Sequence, residues 1–398
     1  MIAKLLWHPF FARTLMILYA NAILITFAWL AICCYLGFHT NRIGLLKNKP
    51  VILSPGLPRV TIIVPARNEG DMMEPALKQL TKLVYPNFDI LVVNDRSTDT
   101  TGEIIHRQQK QCSRIRSLEI SSLPGGWLGK SHALYQGSKT TTADWLLFTD
   151  TDVLLERNCL SRAIGFCLQT GADHLTVFPR LQSRSPILNS VYALFMLVFY
   201  LKYKPWRAPM EGCDNYVGMG AFNLVRRDAY EAIGTHASFP MHPNDDLKLG
   251  EMLKKDGFKQ QVLYGTGQVG YEWYSSLAAF MEGLSKNAFS SMGYSYTKVL
   301  STGLLALAFF VLPVPVFLLS GQAPLVAFAA YIVMGQSILF LSSRGFTPRW
   351  WHALAIPFSG VILVYILARS AVLCYLNNGV YWSREFYSWK DLNSDHRT

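Results

Sequence analysis

Residues 15–36 run for 22 positions without a charge. About 20 apolar residues in a helix cross a bilayer core of about 30 Å, and backbone groups in lipid have no water to bond, so such a run must be helical. No other feature of this chain constrains its fold as firmly. Residues 300–320, 325–341 and 351–376 repeat the pattern, and the last contains Pro357, Gly360 and Arg369, so it reads as a broken or interfacial helix. The first run is too long for the apolar part of a cleaved leader, and no small-residue cleavage site follows it cleanly. An anchor is expected.

Charged residues make up only 16% of the chain and hydrophobic ones 51%, against roughly 25% charged in typical soluble domains. That deficit lies in the apolar runs. Between them, residues 59–298 are of mixed polarity and the right size for one soluble domain. The expected plan is an anchor over 1–58 with its span at about 15–36, a soluble domain over 59–298, and a membrane region with two or three spans and a tail over 299–398.

Lys4 and Arg13 stand before the first run, whereas Arg42, Lys47, Lys49 and Arg59 follow it, and no acid occurs before Glu69. This bias puts the central domain in the cytoplasm of a multi-pass protein of the cell membrane. The net charge of +11 collects near the spans, where topology and anionic lipid account for it; nothing in its pattern calls for nucleic acid. Seven cysteines, with no CxxC, fit a reduced compartment and point to neither a disulfide framework nor a zinc site.

Inside the central domain, residues 60–64, 90–93 and the stretch "DWLLFTDTDV" are apolar, β-rich runs that stop at polar loops, and helical patterns follow them. Strands alternating with helices imply an α/β fold with a parallel, doubly wound sheet, whose ligands gather at the carboxyl ends of the strands. All three runs end in polar clusters: Arg67–Asn68–Glu69, Asn94–Asp95 and Asp150–Asp152. The last pair is the oddest. Two carboxylates separated by one residue repel each other. Either Asp152 caps a following helix, or the pair holds a hard divalent cation such as Mg²⁺ or Mn²⁺, which prefers oxygen ligands and bridges to phosphates.

"VPARNE", "VVNDRSTD", "GWLGKSHAL", "TDTDV" and "NDDLKLG", in this order and spacing, resemble the membrane-bound family-2 glycosyltransferases of the GT-A fold. The resemblance leans to the lipid-directed branch of hopanoid-associated and ceramide glucosyltransferase-like enzymes. It covers roughly residues 60–296 and extends to the closing "NNGVYWSREFYSWKDL". It implies a GT-A cytoplasmic domain (Rossmann-like, mostly parallel) plus transmembrane helices, and inverting transfer of one sugar from a nucleotide-sugar donor, a UDP-sugar, to a membrane lipid.

On that reading, Asp150 and Asp152 hold Mg²⁺ or Mn²⁺ against the leaving diphosphate, and Lys130 in its glycine-rich loop reaches the same group. Asp95 contacts the uracil or ribose, while Pro65, Arg67, Asn68 and Glu69 shape the nucleotide pocket. The family's Glu-Asp pair maps onto Asp245 and Asp246, with Asp246 as the base; Asn244 or Asp245 could also cap the helix behind it. Two departures stand out. Arg96 replaces a common Gly, which alters the expected turn. The Gln/Arg-x-x-Arg-Trp signature of processive synthases and ceramide glucosyltransferases is missing, and "EGLSKNAFSSMGY" in its approximate place offers Lys286 and Phe289 for the acceptor side. A polysaccharide synthase is therefore the weaker alternative, and a non-catalytic transport or scaffold protein with a degenerate transferase domain weaker still.

Overall fold

The computed structural model of the protein describes residues 2–181, 183–271, 273–346, 349–382 and 385–388. Ser383, Arg384 and residues 389–398 of the closing stretch lie outside them. The chain divides into two units that interleave in sequence: Met1–Asn41, Ser185–Leu201 and Ser276–Leu373 form one, and Arg42–Arg184, Lys202–Ser275 and Cys374–Thr398 the other.

The second unit carries the strands β1 (Gly44–Leu45), β2 (Val60–Ala66), β3 (Phe88–Asp95), β4 (Ile115–Ile120), β5 (Trp145–Phe148), β6 (Val153–Leu155), β7 (His174–Phe178), β8 (Arg180–Leu181), β9 (Asn223–Arg226), β10 (Gln260–Tyr264), β11 (Val269–Tyr271), β12 (Gly379–Trp382) and β13 (Glu385–Ser388). Eight of these make one sheet in the order β1-β10-β7-β9-β5-β2-β3-β4; β6-β11-β8 form a small second sheet, and β12-β13 a separate hairpin. The large sheet is parallel except at β9, which runs antiparallel between β5 and β7.

Burial explains why the central strands lack a polar face. Val60, Ile62 and Val64 of β2 point into one core with Ile90 and Val92, while Ile63 enters the opposite core with Leu91 and Val93. Helices cover both sides. Gly70–Leu80, Thr101–Gln111 and Cys159–Thr170 supply the first core, and Gly129–Lys139 and Asp245–Lys255 the second. The expected parallel α/β sheet is present. Because β2 leads to β3 on one side and pairs with β5 on the other, the order switches at β2. The carboxyl ends of β2, β3 and β5 form the rim of that switch point. The antiparallel β9 starts at this rim, since Asn223 pairs with Phe148.

The first unit is helical. Among the described residues, four helices are long and apolar enough to cross a membrane: Arg13–Thr40, Pro186–Arg207, Ala323–Ser342 and Ile356–Asn377. Tyr296–Val311 and Pro313–Leu319 make a fifth if that bent pair, kinked by 44°, is one span. The break therefore falls elsewhere than expected. Pro357 is the second residue of its helix, where a missing N–H costs nothing, and a side chain at Gly360 would meet Val311 and Phe310. The kink instead follows a wide π turn at Leu307–Val311, with Pro313 opening the next helix, two recognised causes of bending. Phe309 on that turn stacks on Trp29 at 5.0 Å and takes its indole hydrogen bond at 3.3 Å. The apolar stretch at 185–206 forms one helix, Pro186–Tyr203, in which Leu188, Val191, Leu194 and Leu197 are fully buried.

Candidate active site

Loops after β2 and β3 are laced together by backbone and side-chain bonds. Asn68 donates its N–H to Ser97 Oγ at 3.0 Å, and its side-chain oxygen accepts from the Thr98 N–H at 2.8 Å. Glu69 N–H donates to Thr101 Oγ1 (2.8 Å), and Gly70 N–H to Asp99 Oδ2 (3.0 Å). Asn68 thus works as a strut between the loops. Both turns carry a left-handed residue, Asn68 and Arg96, each at φ 56°. Arg96 keeps a backbone that glycine would adopt at less cost. Its guanidinium makes up for this, since Nε donates to Asp95 Oδ1 at 2.7 Å and Nη2 to Asp95 Oδ2 at 2.9 Å. Both oxygens of the buried Asp95 are occupied by its neighbour in sequence.

Beyond β5 the chain bends so that Asp150, Lys130, Asp245 and Asp246 converge on one small cleft, lined also by Pro65, Gly220, Asn223 and His236. Lys130, in the first turn of its helix, meets Asp150 at 2.6 Å. Burial alone would lower its ammonium, but the charges of Asp150, Asp245 and Asp246 outweigh it and hold the group above the ordinary range. Asp152 is pushed up to about 7, first by burial and then by facing Asp150 and Glu69. Glu69 is raised for the same reasons, burial first, then Asp150 and Asp99. Asp152 precedes β6 and the helix Cys159–Thr170 begins seven residues later, so it caps no helix.

Asp246 is tightly oriented. Gly220 N–H donates to its Oδ2 at 2.7 Å, and Leu247 N–H to its Oδ1 at 2.8 Å. Burial nevertheless raises its carboxyl, with Lys130 and those two N–H groups opposing. Asp245 is buried beside it and pushed up to about 6, by burial first, with Lys130 opposing and Asp246 and Asp150 adding. Neither Asn244 nor Asp245 caps the helix through its side chain. His236, pushed down to about 3 by burial and then by Lys130, is held at Nδ1 by the Tyr230 hydroxyl at 2.7 Å.

Two glycines that the sequence reading passed over set the position of Asp246. A Cβ on Gly218 would stand 1.8 Å from the Asp246 carbonyl oxygen, and one on Gly250 would stand 2.0 Å from that of Val217. The helix Asp245–Lys255 therefore rests directly on the backbone of the loop before β9. Gly218→Ala is expected to force the two apart. The cost should reach at least the ~1–3 kcal/mol typical of overpacking, with turnover lost as Asp246 moves. A thermal-unfolding midpoint equal to that of the unsubstituted protein would contradict this crossing.

Lys286 and Phe289 belong to the helical unit. Phe289 is buried against Tyr296 and Tyr294 at 4.8 and 5.4 Å, and Lys286 ends the helix Leu277–Ser285, partly exposed. Among the described residues, no three His, Cys, Asp or Glu side chains gather as a metal cage. Sequence reasoning also missed Glu385 of β13. Its Oε1 accepts from Arg67 Nη2 at 3.1 Å and from Arg96 Nη1, while the Tyr387 hydroxyl donates to Oε2 at 2.9 Å.

The acidic strand end, the lysine and the second acidic pair at a helix N-terminus all lie at the switch-point rim, where open α/β sheets bind their ligands. Residues 61–234 match the family described as Glycosyl transferase family 2, so the chain carries a family-2 glycosyltransferase domain. Its relatives include the 4,4'-diaponeurosporenoate glycosyltransferase of Staphylococcus aureus strain N315, 27% identical over 265 residues, 66% of each chain. The same enzyme from the bovine strain RF122 / ET3-1 is 28% identical over 246 residues, 61% of each chain. The chain thus spans just under two thirds of the length of these curated relatives. The fold is similar to that of a mannosyltransferase of Pyrobaculum calidifontis, solved in complex with GDP-Man and Mn²⁺. That likeness has a TM-score of 0.52 at 18% identity and covers 92% of this chain and 100% of the other.

Proposed function

We propose that the protein is an inverting, metal-dependent glycosyltransferase that moves a single sugar from a nucleotide-sugar donor, a UDP-sugar, to a membrane lipid. The observation that carries this reading is the convergence of Lys130 with Asp150, Asp245 and Asp246 on one cleft. The relatives' diaponeurosporenoate acceptor is a lipid-like acid, which supports a lipid here, and the apolar helices supply a place for it. The Lys and Arg bias supports a cytoplasmic catalytic unit in the cell membrane.

Asp150 and Asp152 fit a divalent cation. Asp152 is raised to about 7 in the company of Asp150 and Glu69, an excess of negative oxygen that Mg²⁺ or Mn²⁺ would offset. When bound, the ion would supply positive charge to the leaving diphosphate. Lys130, hydrogen-bonded to Asp150, adds a second cation on the same side. Asp246 takes the proton from the acceptor hydroxyl as that oxygen attacks the anomeric carbon, its lone pairs aimed by Gly220 and Leu247. Asp245 shares the charge of the pair. Pro65, Arg67, Asn68, Glu69 and Asp95 serve the nucleotide, and Lys286 and Phe289 serve the acceptor side.

Purified full-length protein incubated with UDP-sugars, GDP-mannose and total lipid extract should yield a lipid heavier by one sugar, read by mass spectrometry. A ladder of products would favour a polysaccharide synthase. No transfer from any donor would overturn the assignment.

A further inference from the structure

Beside the cleft lies a cationic pair, of which Arg67 serves the nucleotide and Arg96 has no part in the reaction as described. Arg67 and Arg96 converge from the ends of β2 and β3, and both donate to one oxygen of Glu385. Asp95 already neutralises Arg96 through two bonds, and Arg67 Nη1 lies 4.0 Å from it. Two guanidiniums and one carboxylate leave a net positive charge, which Glu385 takes up. Guanidinium forks match phosphate as well as carboxylate, so two of them converging on one carboxylate would also suit a phosphate.

The pair lies against Gly129, the residue before Lys130 of the cleft. A Cβ on Gly129 would meet Asp95 Oδ2 at 2.6 Å, Arg96 Nη2 at 3.0 Å and Arg67 Nη1 at 3.7 Å. The next residue, Lys130, reaches Asp150. One glycine therefore separates the arginine pair from the lysine side of the cleft.

Glu385 is held by side-chain bonds from Arg67, Arg96 and Tyr387, while its strand has little sheet support. Its strand pairs only with β12 among the described residues, and a lone two-stranded hairpin is marginally stable. Its side chain keeps 27% of its exposure, so the ion pairs are open to screening. Burial pushes its carboxyl up, but hydrogen bonds from Arg67 and Tyr387 and the charges of Arg96 and Arg67 outweigh this and hold it ionised.

The geometry points to Arg67 and Arg96 as a phosphate-binding subsite of the donor cleft, with Glu385 as its internal anionic competitor. The inference rests on the nucleotide-sugar reading and adds Arg96 to the groups that bind the donor. A nucleoside diphosphate reaches the pair only as Glu385 gives it up, so its measured affinity is reduced by the fraction of molecules in which Glu385 sits there.

UDP and GDP, each with Mn²⁺, would be titrated into full-length protein in detergent by calorimetry. Glu385→Gln keeps the shape and removes the charge, and should bind the preferred nucleotide roughly threefold to tenfold more tightly. Arg96→Ala should bind it more weakly, and the Glu385→Gln gain should shrink when the two substitutions are combined. Hydrogen exchange at 385–388 should rise when the unsubstituted protein is saturated with nucleotide. Equal or weaker binding by Glu385→Gln, with exchange unchanged, would overturn the subsite while leaving the donor reading intact. If the unsubstituted protein binds neither nucleotide, both fall.

Discussion

Asp246→Asn is expected to cut turnover on a lipid acceptor by a factor of ~10² to 10⁴, the usual cost of losing a general base, while donor binding persists. Asn keeps the size but accepts no proton. Its amide also brings an NH₂ group to a position where Gly220 and Leu247 each offer an N–H. One of those two bonds is lost, so a small fall in stability should accompany the loss of rate. Asp245→Asn should be milder, because among the described residues no side chain is hydrogen-bonded to that carboxylate and removing its charge relieves the pair. Turnover and UDP-sugar affinity measured on both variants decide the matter. A dead Asp245→Asn beside an active Asp246→Asn would move the base by one residue.

Asp152→Ala, and Asp150→Ala nearly as strongly, should abolish transfer and the Mn²⁺ dependence of donor binding. Chelation of the unsubstituted protein should have the same effect. Removing one element of charge stabilisation at a reacting centre costs ~10² to 10³ in rate, and these residues would supply the ion itself. Stability should behave in the opposite way. Asp152 sits in a buried spot facing Asp150 and Glu69, so its removal relieves repulsion. In metal-free buffer Asp152→Ala should melt at or above the unsubstituted protein, as substitutions at strained functional positions often do. Asp150→Ala differs because it strips Lys130 of a partner at 2.6 Å. Donor affinity that ignores Mn²⁺ in every variant would remove the metal from the mechanism.

Local pattern revealed what local forces decide. The strand at 60–64 was readable because β-branched residues fill both faces of a sheet buried on both sides, and β2 extends it only to Ala66. The acidic ends of β3 and β5 were readable for the same reason, since an apolar run that stops at Asp marks the rim. Neither β9 nor the hairpin was legible. Asn223–Arg226 is four residues long, and its place between β5 and β7 depends on partners far away in sequence. Gly218 and Gly250 looked like ordinary glycines, because the carbonyl each accommodates lies on another segment. The run 351–376, with Pro357, Gly360 and Arg369, reads as broken or interfacial from sequence, because a proline's effect depends on whether it starts a helix or interrupts one.

The 289 positions between Arg96 and Glu385 have a consequence during synthesis. Ribosomes add ~5–20 residues per second, so Arg96 is made about 15–60 s before its acidic partner, with most of the helical unit translated in between. Throughout that interval the growing chain presents two arginines balanced by Asp95 alone. A nascent chain at this stage would take up soluble anions more readily than one in which residue 385 has been made and competes with them.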